Sequence, residues 1–180
     1  MRRYNAQQGL DRDSEGYNVT AGAALNISGK AKGEVYVGYL NQDYDAISLD
    51  DVSTINFGGS LLWNYSGLTS FKAALLRDVR ETTLANTSAY VRTSIDASVE
   101  HAFRENLIAD AKAGYINDDY KTAITSSRED DILFSELGVE YRPLRDLKFR
   151  GEYRFLNRDS NQDFSDYSNN VVYASAGYRF

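Results

Sequence analysis

The residue types that carry most enzymatic chemistry are scarce in this sequence. His101 is the only histidine and there is no cysteine, so neither a thiolate nucleophile nor a thiolate metal site can be built. A Ser-His-Asp relay, or a metal held by paired histidines, would need His101 to face a polar interior. It stands instead in phase with Val99 and Phe103, which marks it as an interfacial residue. Carboxylates occur in close runs: Asp43/Asp45, Asp50/Asp51, Asp118/Asp119 and Glu129/Asp130/Asp131. Oxygen-rich loops can hold calcium. None of these runs has the spacing of a calcium loop, and they are expected to be solvated loop tips. No catalytic residue, cofactor site or metal site is assigned, and no enzymatic activity is expected.

What the sequence does supply is charge that recurs in one phase. Arg92, Asp96, Glu100, Asp110, Lys112, Glu136, Glu140, Arg150, Glu152 and Arg154 all fall on the polar side of alternating segments. Glu34, Lys72, Asp78, Arg80, Arg142, Lys148 and Arg179 share that side. Both signs are present, so neighbouring strands can neutralise one another. The net charge is −6, from 20 basic and 26 acidic residues. The two signs are interspersed, and no basic patch suggests a nucleic-acid partner.

The elements that must position these charges read as β-strands. Period two dominates from Gly16 onward, with no helical amphipathic stretch of useful length. In residues 52–66, Ile55, Phe57, Leu61, Trp63 and Tyr65 alternate with Thr54, Asn56, Ser60 and Asn64. In 89–103, Val91, Ile95, Val99 and Phe103 alternate with Arg92, Asp96 and Glu100. In 147–158, Leu147, Phe149, Tyr153 and Phe155 alternate with Lys148, Arg150, Glu152, Arg154 and Arg158. The second face is too polar for a sandwich core. In a soluble barrel the apolar face would point inward; here the paired charges deep within strands favour the inverse arrangement, with apolar residues facing lipid.

Short turn signals at 28–30, 66–68, 104–106 and 142–146 alternate with longer polar segments at 12–16, 43–51, 82–88, 118–131 and 159–169. The only proline, Pro143, falls in the last of the short turns, where it removes no ladder hydrogen bond. One end of the sheet is thus short-turned and the other long-looped, as in outer-membrane barrels. The mean hydropathy of −0.50 is compatible with this, because only one face of each strand is apolar. Nine strands are counted from residue 17 to the end, and residues 2–10 fit a tenth. The expectation is one all-β domain over residues 1–180, an up-and-down antiparallel transmembrane barrel of ten strands.

Aromatic residues fall near strand ends. Trp63, Tyr65, Phe71, Phe103 and Phe149 lie beside the short turns, where an interfacial girdle belongs, and Tyr39, Phe57, Tyr115 and Phe155 supply the opposite one. Arg77 breaks the pattern by falling in the apolar phase of 69–82. Either it reaches the outer headgroups or a bulge shifts the phase there.

The ending "VVYASAGYRF" resembles the C-terminal strand of bacterial outer-membrane β-barrels, whose final aromatic is read by the barrel-assembly machinery; Phe180 and Tyr178 take those positions. The phrases "GYLNQDYD", "LLWNYSGLTSFKAALLRDVRET", "AGYINDDY" and "YSNNVVYASAGYRF" are similar to a family of β-barrel porins whose members run longer than this chain. The resemblance implies a porin-like or transport-associated barrel in the outer membrane of a Gram-negative bacterium, with lipid, lipopolysaccharide and the assembly machinery as partners. It also allows the chain to be the C-terminal half of a larger barrel. Some relatives are associated with exopolysaccharide export. No signal peptide is present in this chain. The lumen is expected to be narrow and charged. The remaining alternative is an anchoring or adhesion scaffold whose lumen is plugged by salt bridges and whose outer loops carry the function.

Overall fold

A computed structural model describes residues 14–44, 51–82, 87–122 and 128–179. They form nine strands: β1 (Ser14–Ser28), β2 (Ala31–Tyr44), β3 (Val52–Asn64), β4 (Thr69–Glu81), β5 (Thr87–Arg104), β6 (Leu107–Thr122), β7 (Glu129–Leu144), β8 (Leu147–Ser160) and β9 (Tyr167–Tyr178). All nine join one sheet in chain order, each antiparallel to the next. No helix among the described residues is long and apolar enough to cross a membrane, a fact that bears only on helical spans. The expected tenth strand, 2–10, and Phe180 lie outside the described residues. Among those described, β1 and β9 are the two edges and do not pair with each other.

Strand length follows from the long run of alternation. The shortest strand has 12 residues and the longest 18, whereas a tilted strand crosses a bilayer in about 9–11. The sheet therefore extends beyond an apolar band. On β7 that band runs from Leu133 through Leu137 and Val139 to Tyr141, all exposed on one face. On the same face, above Leu133, stand Asp131 and Glu129. Across the sheet, Val19, Val35, Val37, Ile55, Ile95 and Val172 expose roughly half or more of their surface. Apolar groups outside and charges on the sheltered face invert the arrangement of a soluble protein.

The polar loops are shorter than the sequence suggests. Strands β6 and β7 run on to Thr122 and from Glu129, so most of 118–131 is sheet rather than loop. The same register that begins at Leu107↔Tyr141 continues without interruption to Asp119↔Glu129, because each added pair completes ladder hydrogen bonds. Pro143 sits at an irregularity between Tyr141 and Leu144 within the end of β7, not in the turn itself. There a missing N–H interrupts no regular ladder. The tightest burial is at the long-loop end of β5–β7, where Val91, Asp118 and Asp130 are almost wholly enclosed.

Candidate functional site

The candidate site is the sheltered face of β4–β9. The register places Asp78, Arg92, Asp118 and Asp130 side by side across β4–β7. Three carboxylates in a row repel unless cations separate them. Arg92 meets Asp118 in a fork, Nε to Oδ1 at 2.6 Å and Nη2 to Oδ2 at 2.6 Å. Asp130 accepts from Arg128 Nε at 3.0 Å and from Arg158 Nη2. Two residues along β6 from Asp118, the Tyr120 ring is stacked on Tyr90 at 5.0 Å and lies under the Arg128 guanidinium at 4.9 Å. Asp118 is 1 % exposed and Asp130 is 0 % exposed, which is tolerable for carboxylates only when paired and hydrogen-bonded. Asp130 stands above the apolar band of β7. Its burial pushes the carboxyl pKa up, but hydrogen bonds from Arg128, Ser160 and Arg158 outweigh this, and the pKa lies below its ordinary value.

A second layer lies nearer the short turns. Lys112 Nζ is 3.4 Å from Asp96 on β5 and its ammonium lies over the Phe134 ring at 5.5 Å. Arg150 on β8 reaches past β7 to Asp110 on β6, Nη1 to Oδ1 at 2.8 Å and Nη2 to Oδ2 at 3.1 Å. This reach needs Gly138. A Cβ there would stand 2.5 Å from Arg150 Nη2 and 2.6 Å from Asp110 Oδ2. Arg150 Nε also donates to Glu152 at 3.1 Å. Arg154 pairs with Glu152, lies 3.9 Å from Glu136 and stacks over Tyr173 at 5.1 Å.

The spacing of Glu136 and Glu140 against Arg150 and Arg154 matches the register, Glu136↔Arg154 and Glu140↔Arg150. The bonds differ from that register: Arg150 turns to Asp110, and Glu140 takes Arg142, whose Nε donates at 2.6 Å. Glu100 stands directly opposite Asp110 and takes no ion pair among the described residues. Each ion pair of the sheltered face named here lies within one segment of the chain, two residues apart, or joins strands that are neighbours or next neighbours. The charged side chains therefore lie along the wall.

Some residues depart from the sequence reading. Asp118 and Asp130 were expected at solvated loop tips; both are enclosed in strands and paired. The signal for them was the even phase of Asp110 and Lys112, which runs unbroken through Asp118 and Tyr120 once β6 is allowed its full length. Arg77 stays in the outward phase, opposite Phe57 and Thr93 with no bulge, and donates from Nη1 to Thr93 Oγ1 at 2.7 Å. His101 is outward too, its Nδ1 hydrogen-bonded with Thr69 Oγ1 at 2.8 Å and its ring edge-on to Phe103 at 4.6 Å. Trp63, Tyr65 and Phe71 form one cluster, with Trp63 5.3 Å from Tyr65 and 5.4 Å from Phe71. Phe103, Phe149 and Tyr178 are exposed at the same end. No group of three or more acidic or histidine side chains among the described residues is arranged to hold a metal. Chemically, the wall can order charge and water along its length.

Comparison with known proteins agrees with this geometry. The chain is similar to OmpTdeltaL8, the loop L8 deletion mutant of OmpT, an outer membrane protein of Vibrio cholerae, with 13% sequence identity and a TM-score of 0.53. The likeness covers 92% of this chain and 54% of that one, so the chain spans about half that protein's length; at this identity it speaks to the fold. No curated protein matches the chain. The sequence model of one family matches residues 1–180 throughout, and with a fold that is that of an outer-membrane barrel, the chain belongs to the family described as "Putative beta-barrel porin 2".

Proposed function

We propose that the chain forms the wall of a non-enzymatic transport conduit in the outer membrane of a Gram-negative bacterium. The observation that carries this reading is the lateral course of the ion pairs. Arg92–Asp118, Lys112–Asp96 and Arg150–Asp110 spend their charge on neighbours in the wall. A plug needs side chains bonded across the lumen. In lipid, the edges of β1 and β9, unpaired among the described residues, must find partners, and every strand that joins them widens the interior. A wall of paired charges around water then favours small polar or ionic solutes of either sign. Lipopolysaccharide and lipid would surround the apolar band, and the assembly machinery would read the last strand. Removing Phe180 should impair assembly in cells more than refolding in detergent.

Planar-bilayer recording of refolded protein tests the conduit. Stable ohmic steps are expected. A folded, heat-modifiable protein that stays silent would favour the anchoring or adhesion scaffold instead.

A further inference from the structure

Most cations of the sheltered face are paired, and this makes one place stand out. At the β7–β8 turn and the end of β9, a cleft of about 400 Å³ is lined by Arg142, Arg145, Lys148 and Arg179, with Asp146 as the single acid among its described lining residues. Arg142 is held by Glu140. Arg145, Lys148 and Arg179 have no side-chain partner among the described residues. Their clustering is imposed by backbone: the Arg179 N–H donates to the Asp146 carbonyl at 2.9 Å, tying the end of β9 to the turn. Lys148 lies flat over Gly177, where an added Cβ would stand 3.1 Å from its Cε. The register puts Lys148 and Gly177 in the phase of Arg150 and Arg154, while Leu147 and Tyr178 of the outward phase complete the lining, so the cleft lies at the short-turn rim of the sheet with its cations on the sheltered side.

Like charges gathered around one hollow repel, and an oxyanion placed among them removes that repulsion while accepting several charge-assisted hydrogen bonds. We propose that this cleft is a binding site for a multivalent oxyanion, a phosphate or polyphosphate group, at the short-turn mouth of the barrel. The reading of the barrel as a conduit supplies its meaning, since an anion held there would be a solute entering from the periplasm; the binding itself does not depend on conduction. Arg145 and Arg179 present the planar forks that suit phosphate oxygens, and Lys148 a point charge.

The test is calorimetric titration of inorganic pyrophosphate into the full chain refolded in neutral detergent. Paired Lys148→Gln and Arg179→Gln substitutions should weaken binding about ten-fold or more, the equivalent of one lost charged hydrogen bond. Paired Lys148→Arg and Arg179→Lys substitutions should keep it, and so should Lys30→Gln at another short turn. Equal weakening by Lys30→Gln, or wild-type binding in the glutamine pair when that pair is folded by heat-modifiability, overturns the proposal. A second arm uses vesicles of phosphatidylcholine with and without phosphatidylglycerol. If the glutamine pair changes only the preference for phosphatidylglycerol and pyrophosphate never binds, the site belongs to lipid headgroups and the proposal falls. Pyrophosphate binding by a barrel that passes no current keeps the site and removes the conduit; current without site-dependent binding does the reverse.

Discussion

Arg92 on β5 and Asp118 on β6 face each other directly and share two parallel hydrogen bonds of 2.6 Å. The fork-to-fork geometry fixes both side chains against the wall, and the Arg92 guanidinium lies over the Tyr90 ring at 5.4 Å. Removing one partner strands the other in a nearly closed site. Asp118→Ala should lower stability in lipid vesicles by about 3 kcal/mol, the lower end of the range for a broken buried pair, because Arg92 keeps some contact with water. Urea unfolding followed by tryptophan fluorescence measures it. The joint change Arg92→Met with Asp118→Leu should cost clearly less than Asp118→Ala alone, and an equal or larger loss would mean that the pair does more than compensate its own burial.

Gly138 permits the crossing of Arg150 over β7. Gly138→Ala should cost about 1–3 kcal/mol through forced displacement of the Arg150 fork, even though alanine suits a strand as well as glycine does. Combining it with Arg150→Ala should recover most of that loss. If the double variant is as unstable as the sum of the two, the steric account of Gly138 is wrong.

Acid should expose the Asp130 pair. The folded carboxyl has a lowered pKa, so the unfolded chain takes up its proton first as pH falls. The stabilisation from this group is fully present above its ordinary value of 3.8, declines as pH drops below that value, and is gone below the folded pKa. Urea midpoints of wild type should therefore fall through this acid window. Asp130→Asn should show a lower midpoint at neutral pH and a shallower acid decline. Parallel curves for the two proteins would remove Asp130 from the acid response.

Arg77 faces outward yet bonds Thr93, and the next outward positions in its row are Asn117 and Asp131. That row lies at the polar edge of the apolar band. Arg77→Leu should change stability by only ~0–1 kcal/mol, as for an interfacial position, where a midplane arginine would give ~2–4 kcal/mol of stabilisation on removal. Unfolding in vesicles of two acyl lengths distinguishes these, because a thinner bilayer moves the residue further out of hydrocarbon.

Phe164, between β8 and β9, has φ of 63° and a fully exposed ring. The left-handed region costs a non-glycine residue roughly 1–2 kcal/mol, and asparagine or glycine much less. Phe164→Gly should raise the urea midpoint slightly. A fall would show that the aromatic ring makes contacts that outweigh the backbone strain.

Much of the architecture is legible in residue order alone, because period-two alternation is a local property. It marks the lipid face through Val35, Val37, Ile55 and Ile95 and the charged face through Arg92, Asp96, Arg150 and Arg154, and glycine marks the short turns at Gly29 and Gly67. Register follows where opposite charges recur, as for Glu136 with Arg154. Three things were decided only in three dimensions. Asp118 and Asp130 read as loop acids because a run of carboxylates looks solvated; they become enclosed when ladder pairing lengthens β6 and β7 and brings in Arg92 and Arg158 from neighbouring strands, with Arg128 closing on Asp130 from two residues away. Arg150 chooses Asp110 over the nearer Glu140 because Gly138 leaves a path that a Cβ would block, a steric fact with no trace in charge order. The basic cleft joins residues 142–148 to residue 179, distant in sequence, and exists because the end of β9 is hydrogen-bonded to the β7–β8 turn. Alternation assigns a side chain to a face, while the partner it finds on that face depends on which strands the fold lays beside it.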